Sequence, residues 1–191
     1  MKISVYGSAS GNFSEELIER TREIGREIAR QKHTLITGGC PGLPYEAVKG
    51  ASEFNGKVIG YSPATDLKSH NLINYPTEGF SEFVFVPKDY EQRNNMMACR
   101  KYRNISSVLA CDAAIFVSGR SGTLNEFTNA YDFGKIIGIL ENSKGISEIV
   151  PTVLKAFDNK LEAKIVSDKE PVKLVRKVIQ KCQESNSRTV P

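Results

Sequence analysis

Tryptophan is absent from this 191-residue chain, and histidine occurs only twice. The four cysteines, Cys40, Cys99, Cys111 and Cys182, include no CxxC pair, and His33 and His70 stand near none of them in ligand spacing. That pattern argues against a zinc site and reads as scattered thiols in a reducing compartment. No apolar run is long enough for a membrane span. The opening residues, MKISVYGSASG, are too short in apolar length for a signal sequence, so a cytoplasmic location is expected. A net charge of +4, with no arginine- or lysine-rich block, gives no footing for nucleic-acid binding. No cofactor, metal or membrane partner is expected.

What is there is an alternation of strand and helix. Short apolar runs at Lys2–Tyr6, His33–Thr37, Lys57–Tyr61, Glu82–Pro87, Asp112–Val117, Lys135–Leu140 and Lys164–Val166 read as strands. Between them, Asn12 with Glu15 suggests a capping box, followed by a helix with Leu17, Ile18, Thr21, Ile24, Gly25, Ile28 and Ala29 on one face. Further helices are expected over 45–54, 89–111, 123–133, 147–157 and 171–184, with 62–79 irregular. The predicted fold is a single Rossmann-like α/β domain over residues 1–184, a doubly wound parallel sheet of about seven strands, with a flexible tail at 185–191. The central strands are expected from Lys2–Tyr6, His33–Thr37, Glu82–Pro87 and Asp112–Val117.

Three loops each follow a strand and open a helix: GSASG (Gly7, Ser8), TGGCPGLP (Gly38, Gly39, Gly42) and SGRSGT (Ser118, Gly119, Arg120, Ser121, Gly122, Thr123). Glycine permits sharp turns and close approach, and a helix start offers free N–H groups and a positive dipole end to an anion. Ordinary tight turns would also use glycine, but three such loops at one sheet edge point to a phosphate-bearing nucleotide. None is a GxGxxG or a GxxxxGK[ST] fingerprint, which excludes a standard dinucleotide site and a P-loop at motif level.

The stretch Asp112–Phe127, DAAIFVSGRSGTLNEF, resembles the signature of the LONELY GUY family, also labelled "possible lysine decarboxylase". The family pattern is PGGxGTxxE, and Gly119, Gly122, Thr123 and Glu126 match it. Arg103 stands nine residues before Asp112, at the family's arginine, with Asn104 in place of its lysine. TGGCPGLP is similar to the family's second-strand loop. Ser118 and Arg120 depart from the pattern, which suggests a sister branch of the superfamily that includes DprA.

The resemblance implies a phosphoribohydrolase that cleaves the N-glycosidic bond of a nucleoside 5′-monophosphate such as AMP. It assigns the phosphate to the SGRSGT loop and catalysis to Glu126 and Arg103. Glu126 could stabilise a sugar cation or orient water; its plainer reading is a first-turn helix charge. Arg103 could orient substrate or Glu126; its plainer reading is a solvated face shared with Arg100 and Ser107, opposite Ile105, Val108 and Leu109. A sensor that binds without cleaving is the alternative, and DprA-like nucleic-acid binding a third. A pyridoxal-dependent decarboxylase finds no lysine in any of the three loops. A homo-oligomer, a dimer foremost, is expected, with Met96 and Met97 either in its interface or in the core.

Overall fold

In the computed structural model, described over residues 1–157 and 164–187, seven strands and seven helices alternate. They run β1 (Lys2–Gly7), α1 (Glu15–Arg30), β2 (Thr34–Thr37), α2 (Leu43–Ser52), β3 (Val58–Tyr61), α3 (Leu67–Leu72) and β4 (Glu82–Val84). Then follow α4 (Met96–Ala110), β5 (Ala113–Val117), α5 (Ser121–Asp132), β6 (Ile136–Leu140), α6 (Ile146–Lys155), β7 (Ile165–Asp168) and α7 (Pro171–Ser187). All strand pairs are parallel, in the order β4-β3-β2-β1-β5-β6-β7. The winding reverses between β1 and β5, where Tyr6 pairs with Phe116 and Gly7 with Val117. A crevice therefore opens beyond the carboxyl ends of those two strands.

The central strands are apolar on both faces because both faces are covered. On one side Ile3, Val5, Leu35, Ile115 and Val117 pack under α1, α2 and α7 through Ile24, Ile28, Leu43, Val48, Leu174 and Val178. On the other, Tyr6, Ile36, Phe116, Ile137 and Ile139 meet Val108 of α4, Phe127 and Ala130 of α5, and Val150 of α6. Residues alternate between the two clusters along each strand, as a period of two requires.

Several expectations change. The first helix is capped by Ser14, whose Oγ accepts from Leu17 N at 3.2 Å, and not by Asn12. The long helix starts at Met96 because Asn95 Oδ1 accepts from the backbone N–H of Met97 and Ala98; residues 89–95 form turns. The segment 62–79 contains α3, capped by Asp66. Strand β4 spans only Glu82–Val84 and lies at the sheet edge, not among the central strands as expected, so it pairs with β3 alone and none of its three residues is fully buried. Helix α7 continues to Ser187, three residues into the expected tail; residues 188–191 lie outside the described residues. Met97 is exposed, as are Ile105 and Leu109, so α4 turns Arg103, Asn104, Ser107 and Val108 inward instead. Among the described residues no helix is long and apolar enough to cross a membrane.

Candidate functional site

A cavity of about 570 Å³ lies at the switch point, floored by Tyr6 and Gly7 at the end of β1 and by Gly38 after β2. Ser8, Ala9 and Ser10 of the first loop form one wall with Arg120, Ser121, Gly122 and Thr123. Helix α4 forms the facing wall through Met97, Arg100, Lys101, Arg103 and Asn104, and Tyr75 closes the far side beside Cys40.

Arg103 and Glu126 meet inside it. Arg103 Nη1 is 3.9 Å from Glu126 Oε1, and both side chains are more than nine-tenths buried. Burial raises the Glu126 carboxyl to about 7, the nearby Arg103 and Lys101 charges pulling the other way without prevailing. Arg103 lies against Gly38: a β-carbon there would stand 1.5 Å from Arg103 Nη1. Burial also pushes the Cys40 thiol up, against the pull of Arg103. Among the described residues Arg103 Nε has no hydrogen-bond partner, nor does Asn104 Oδ1, while Asn104 Nδ2 donates to Asn125 Oδ1 at 3.0 Å. Buried polar atoms left unmet are costly, so these two mark where a bound group or water is wanted.

The three helix starts near the crevice are not equivalent. Helix α1 is closed by the Ser14 cap and carries Glu15 and Glu16 in its first turn. Helix α2 begins at Gly42 with φ +80°, and Leu43 N already donates to Ser8 O at 3.0 Å. Helix α5 has no side-chain cap and no acidic residue in its first turn. Among the described residues nothing caps its opening N–H groups, which with the dipole end can take an anion. A β-carbon on Gly122 would touch nothing within 4 Å, so this turn faces open space in the cavity.

Of the residues expected at the site, Gly7, Ser8, Gly38, Arg103, Arg120, Ser121, Gly122, Thr123 and Glu126 share the cavity. Gly39, Gly42, Ser118 and Gly119 are outside its lining and have other work. Gly39 packs toward Tyr61 O, His70 and Phe83, and a side chain at Gly42 would strike Ser8 and Ala9. Ser118, at φ +56°, donates its N–H to Ser143 Oγ at 2.8 Å and accepts from Ser147 Oγ at 3.2 Å. Gly119 N donates to Ser8 Oγ at 3.1 Å, and its carbonyl accepts from Ile146 N. The Ser118-Gly119 half of the loop is thus bound backward to the start of α6. Arg120 Nη2 donates to Ser10 Oγ at 2.5 Å and to Ser10 O, joining the first and third loops.

Sequence reasoning missed Tyr6, Ser10, Cys40, Tyr75, Arg100, Lys101 and Asn104 as lining residues. For Arg100 and Lys101 the signal was present, since both precede Arg103 by less than one turn of the same helix. Tyr75 had none: it arrives from a segment that read as irregular, pinned by His70, whose Nδ1 pairs with Ser62 Oγ at 2.8 Å and whose Nε2 reaches Pro76 O at 3.1 Å.

Known proteins resemble this chain in sequence or in fold. An uncharacterised protein of Archaeoglobus fulgidus is 28% identical over 141 residues, 74% of this chain and 80% of its own. The crystal structure of TM1055 superposes with a TM-score of 0.77 at 22% identity, covering 94% of this chain and 98% of that one. The molybdenum cofactor carrier protein of Chlamydomonas reinhardtii does so at 0.68 and 22% identity, covering 94% and 96%. DNA processing protein A of Helicobacter pylori gives 0.67 at 16% identity, covering 95% and 81%. These likenesses establish the fold. The family model of the SLOG cluster4 family matches residues 1–175, and the chain belongs to that family.

Proposed function

We propose that the cavity binds a nucleoside 5′-monophosphate and that the protein hydrolyses its N-glycosidic bond. One observation carries the reading: a buried Arg103–Glu126 pair stands in the same cavity as the uncapped start of α5. The 5′-phosphate sits on the N–H groups of Ser121, Gly122 and Thr123, where the helix dipole favours negative charge. The sugar then lies toward Glu126, one turn further along α5.

A carboxyl that titrates at about 7 is matched to general-base work near neutral pH. Glu126 takes a proton from water as the water oxygen bonds to the anomeric carbon; the carbon–nitrogen bond breaks, and the base leaves with that electron pair and takes up the proton that Glu126 releases. Ribose 5-phosphate and free base result. Arg103 orients Glu126 and favours its charged form.

Incubation with a panel of nucleoside monophosphates, followed by chromatography for free base, tests this. Base release by the wild type, lost in Glu126→Gln, supports it. Binding without release would leave a non-catalytic nucleotide-binding module. The bond from Arg120 to Ser10, which occupies the cation of the third loop, favours that second reading, as does the likeness to carrier proteins of a molybdenum cofactor. A salt-sensitive shift of single-stranded DNA would instead align the chain with DNA processing protein A. A dimer through the exposed Met97, Ile105 and Leu109 of α4 belongs to the same proposal, and light scattering measures it.

A further inference from the structure

The charge in the cavity exceeds what one phosphate requires. Arg100, Lys101, Arg103 and Arg120 line it, and Glu126 is the one carboxylate among the lining residues. The cations fall into two places. Arg120 belongs to the α5 start and is already bonded to Ser10. The other three lie on α4, where Lys101 is near enough to act on the Glu126 carboxyl and Arg103 pairs with it at 3.9 Å. Arg103 Nε is buried and unmet. Arg100 and Lys101 make no ion pair among the described residues, although many other arginines of this chain do, as Arg22, Arg26, Arg30 and Arg176 show. Cations without an ion pair on the same cavity wall as the buried Arg103 suit a second anion.

We infer that the ligand carries two separated anionic groups, one on the start of α5 and one held by the Arg100 and Lys101 wall of α4 beside Arg103. This rests on the nucleotide reading above and narrows it to the bisphosphate class, with the two phosphoryl groups on opposite sides of the sugar. Adjoining phosphates would both lie at the α5 start. Glu126 pairs with Arg103 on the α4 side, so the second group arrives where Arg103 already balances one negative charge.

Isothermal titration with AMP, ADP and adenosine 3′,5′-bisphosphate tests it, using wild type and the double variant Arg100→Ala/Lys101→Ala. Both side chains belong to exposed residues, and thermal melting checks that the variant folds. The expected result is binding of the bisphosphate about tenfold or more tighter than AMP at low salt, with that gain cut to about threefold or less in the variant. AMP affinity should fall by less than bisphosphate affinity in the variant, because the α5 start that holds its one phosphate is untouched. Equal affinity of AMP and bisphosphate overturns the inference while leaving nucleotide binding intact. So does a gain that survives in the double variant, and an equal gain for ADP overturns the separation of the two groups. Failure of all three ligands to bind removes the nucleotide reading itself and this inference with it.

Discussion

The guanidinium of Arg103 rests on Gly38, so that a β-carbon at that position would stand 1.5 Å from Nη1 and 2.7 Å from Cζ. The second-strand loop is thereby tied to the fourth helix across the floor of the cavity. Gly38 lies outside the left-handed region, so what it supplies is room and not backbone freedom. Glycine at 38 and arginine at 103 are a matched pair, and the Arg103–Glu126 contact depends on both.

Two alanine substitutions separate packing from ligand contact. Gly38→Ala should cost about 1–3 kcal/mol in urea denaturation, because Arg103 must move from a buried position. Gly122→Ala meets no protein atom and should leave stability unchanged or raised by up to about 1 kcal/mol. If the phosphate lies on the α5 start, Gly122→Ala nonetheless weakens nucleotide binding, and unaltered affinity would place the phosphate elsewhere.

Glu126→Gln keeps the shape of the side chain and removes its charge. Turnover of the preferred nucleoside monophosphate should fall about a hundredfold or more, with affinity within a few-fold. Unchanged hydrolysis would take Glu126 out of the mechanism.

The same carboxyl makes stability depend on pH in an unusual direction. Folding raises it from its ordinary value of 4.5 to about 7, chiefly through burial. Between those values the folded chain holds a proton that the unfolded chain has lost. Its contribution is therefore fully present below 4.5 and lost as pH rises through 7. The difference should be on the order of 3 to 3.5 kcal/mol. Carboxylates lowered by ion pairs, such as Glu27 and Asp168, act with the opposite sign and at lower pH. Subtracting the profile of Glu126→Gln from that of the wild type isolates the effect; parallel profiles from pH 4.5 to 8 would show that Glu126 titrates normally.

Arg103→Met removes a charge that holds the Glu126 carboxyl down, leaving Lys101 as the remaining pull in that direction. The carboxyl should then titrate above 7, read by carbon-13 NMR of the labelled side chain. Stability near pH 8 should fall by about 1–3 kcal/mol, because the buried carboxyl loses its partner and holds its proton to higher pH. An unmoved titration would mean that the two side chains are electrostatically separate.

The linear chain determined the order of elements. Its strands are short apolar runs and its helices carry a 3.6-residue stripe, because a sheet covered on both faces and an amphipathic helix demand those periods. The glycine loops were legible too, since close turns leave few alternatives to glycine, and Arg103 and Glu126 were singled out by the resemblance to a known family's signature. Where helices begin was decided by competition among polar neighbours: Ser14 over Asn12, and Asn95 over the turns before it. Only the tertiary structure decided which glycines face the cavity. Gly122 looks into open space, whereas Gly119, three positions earlier in the same loop, is bonded to Ser8 and Ile146. Nor could spacing on α4 say that its Arg103 face turns inward and leaves Ile105 and Leu109 exposed. The reason is physical: a helical stripe states which residues share a face, but what that face meets depends on partners distant in the chain. For Arg103 those partners are Gly38 and Glu126, brought together by the winding reversal between β1 and β5.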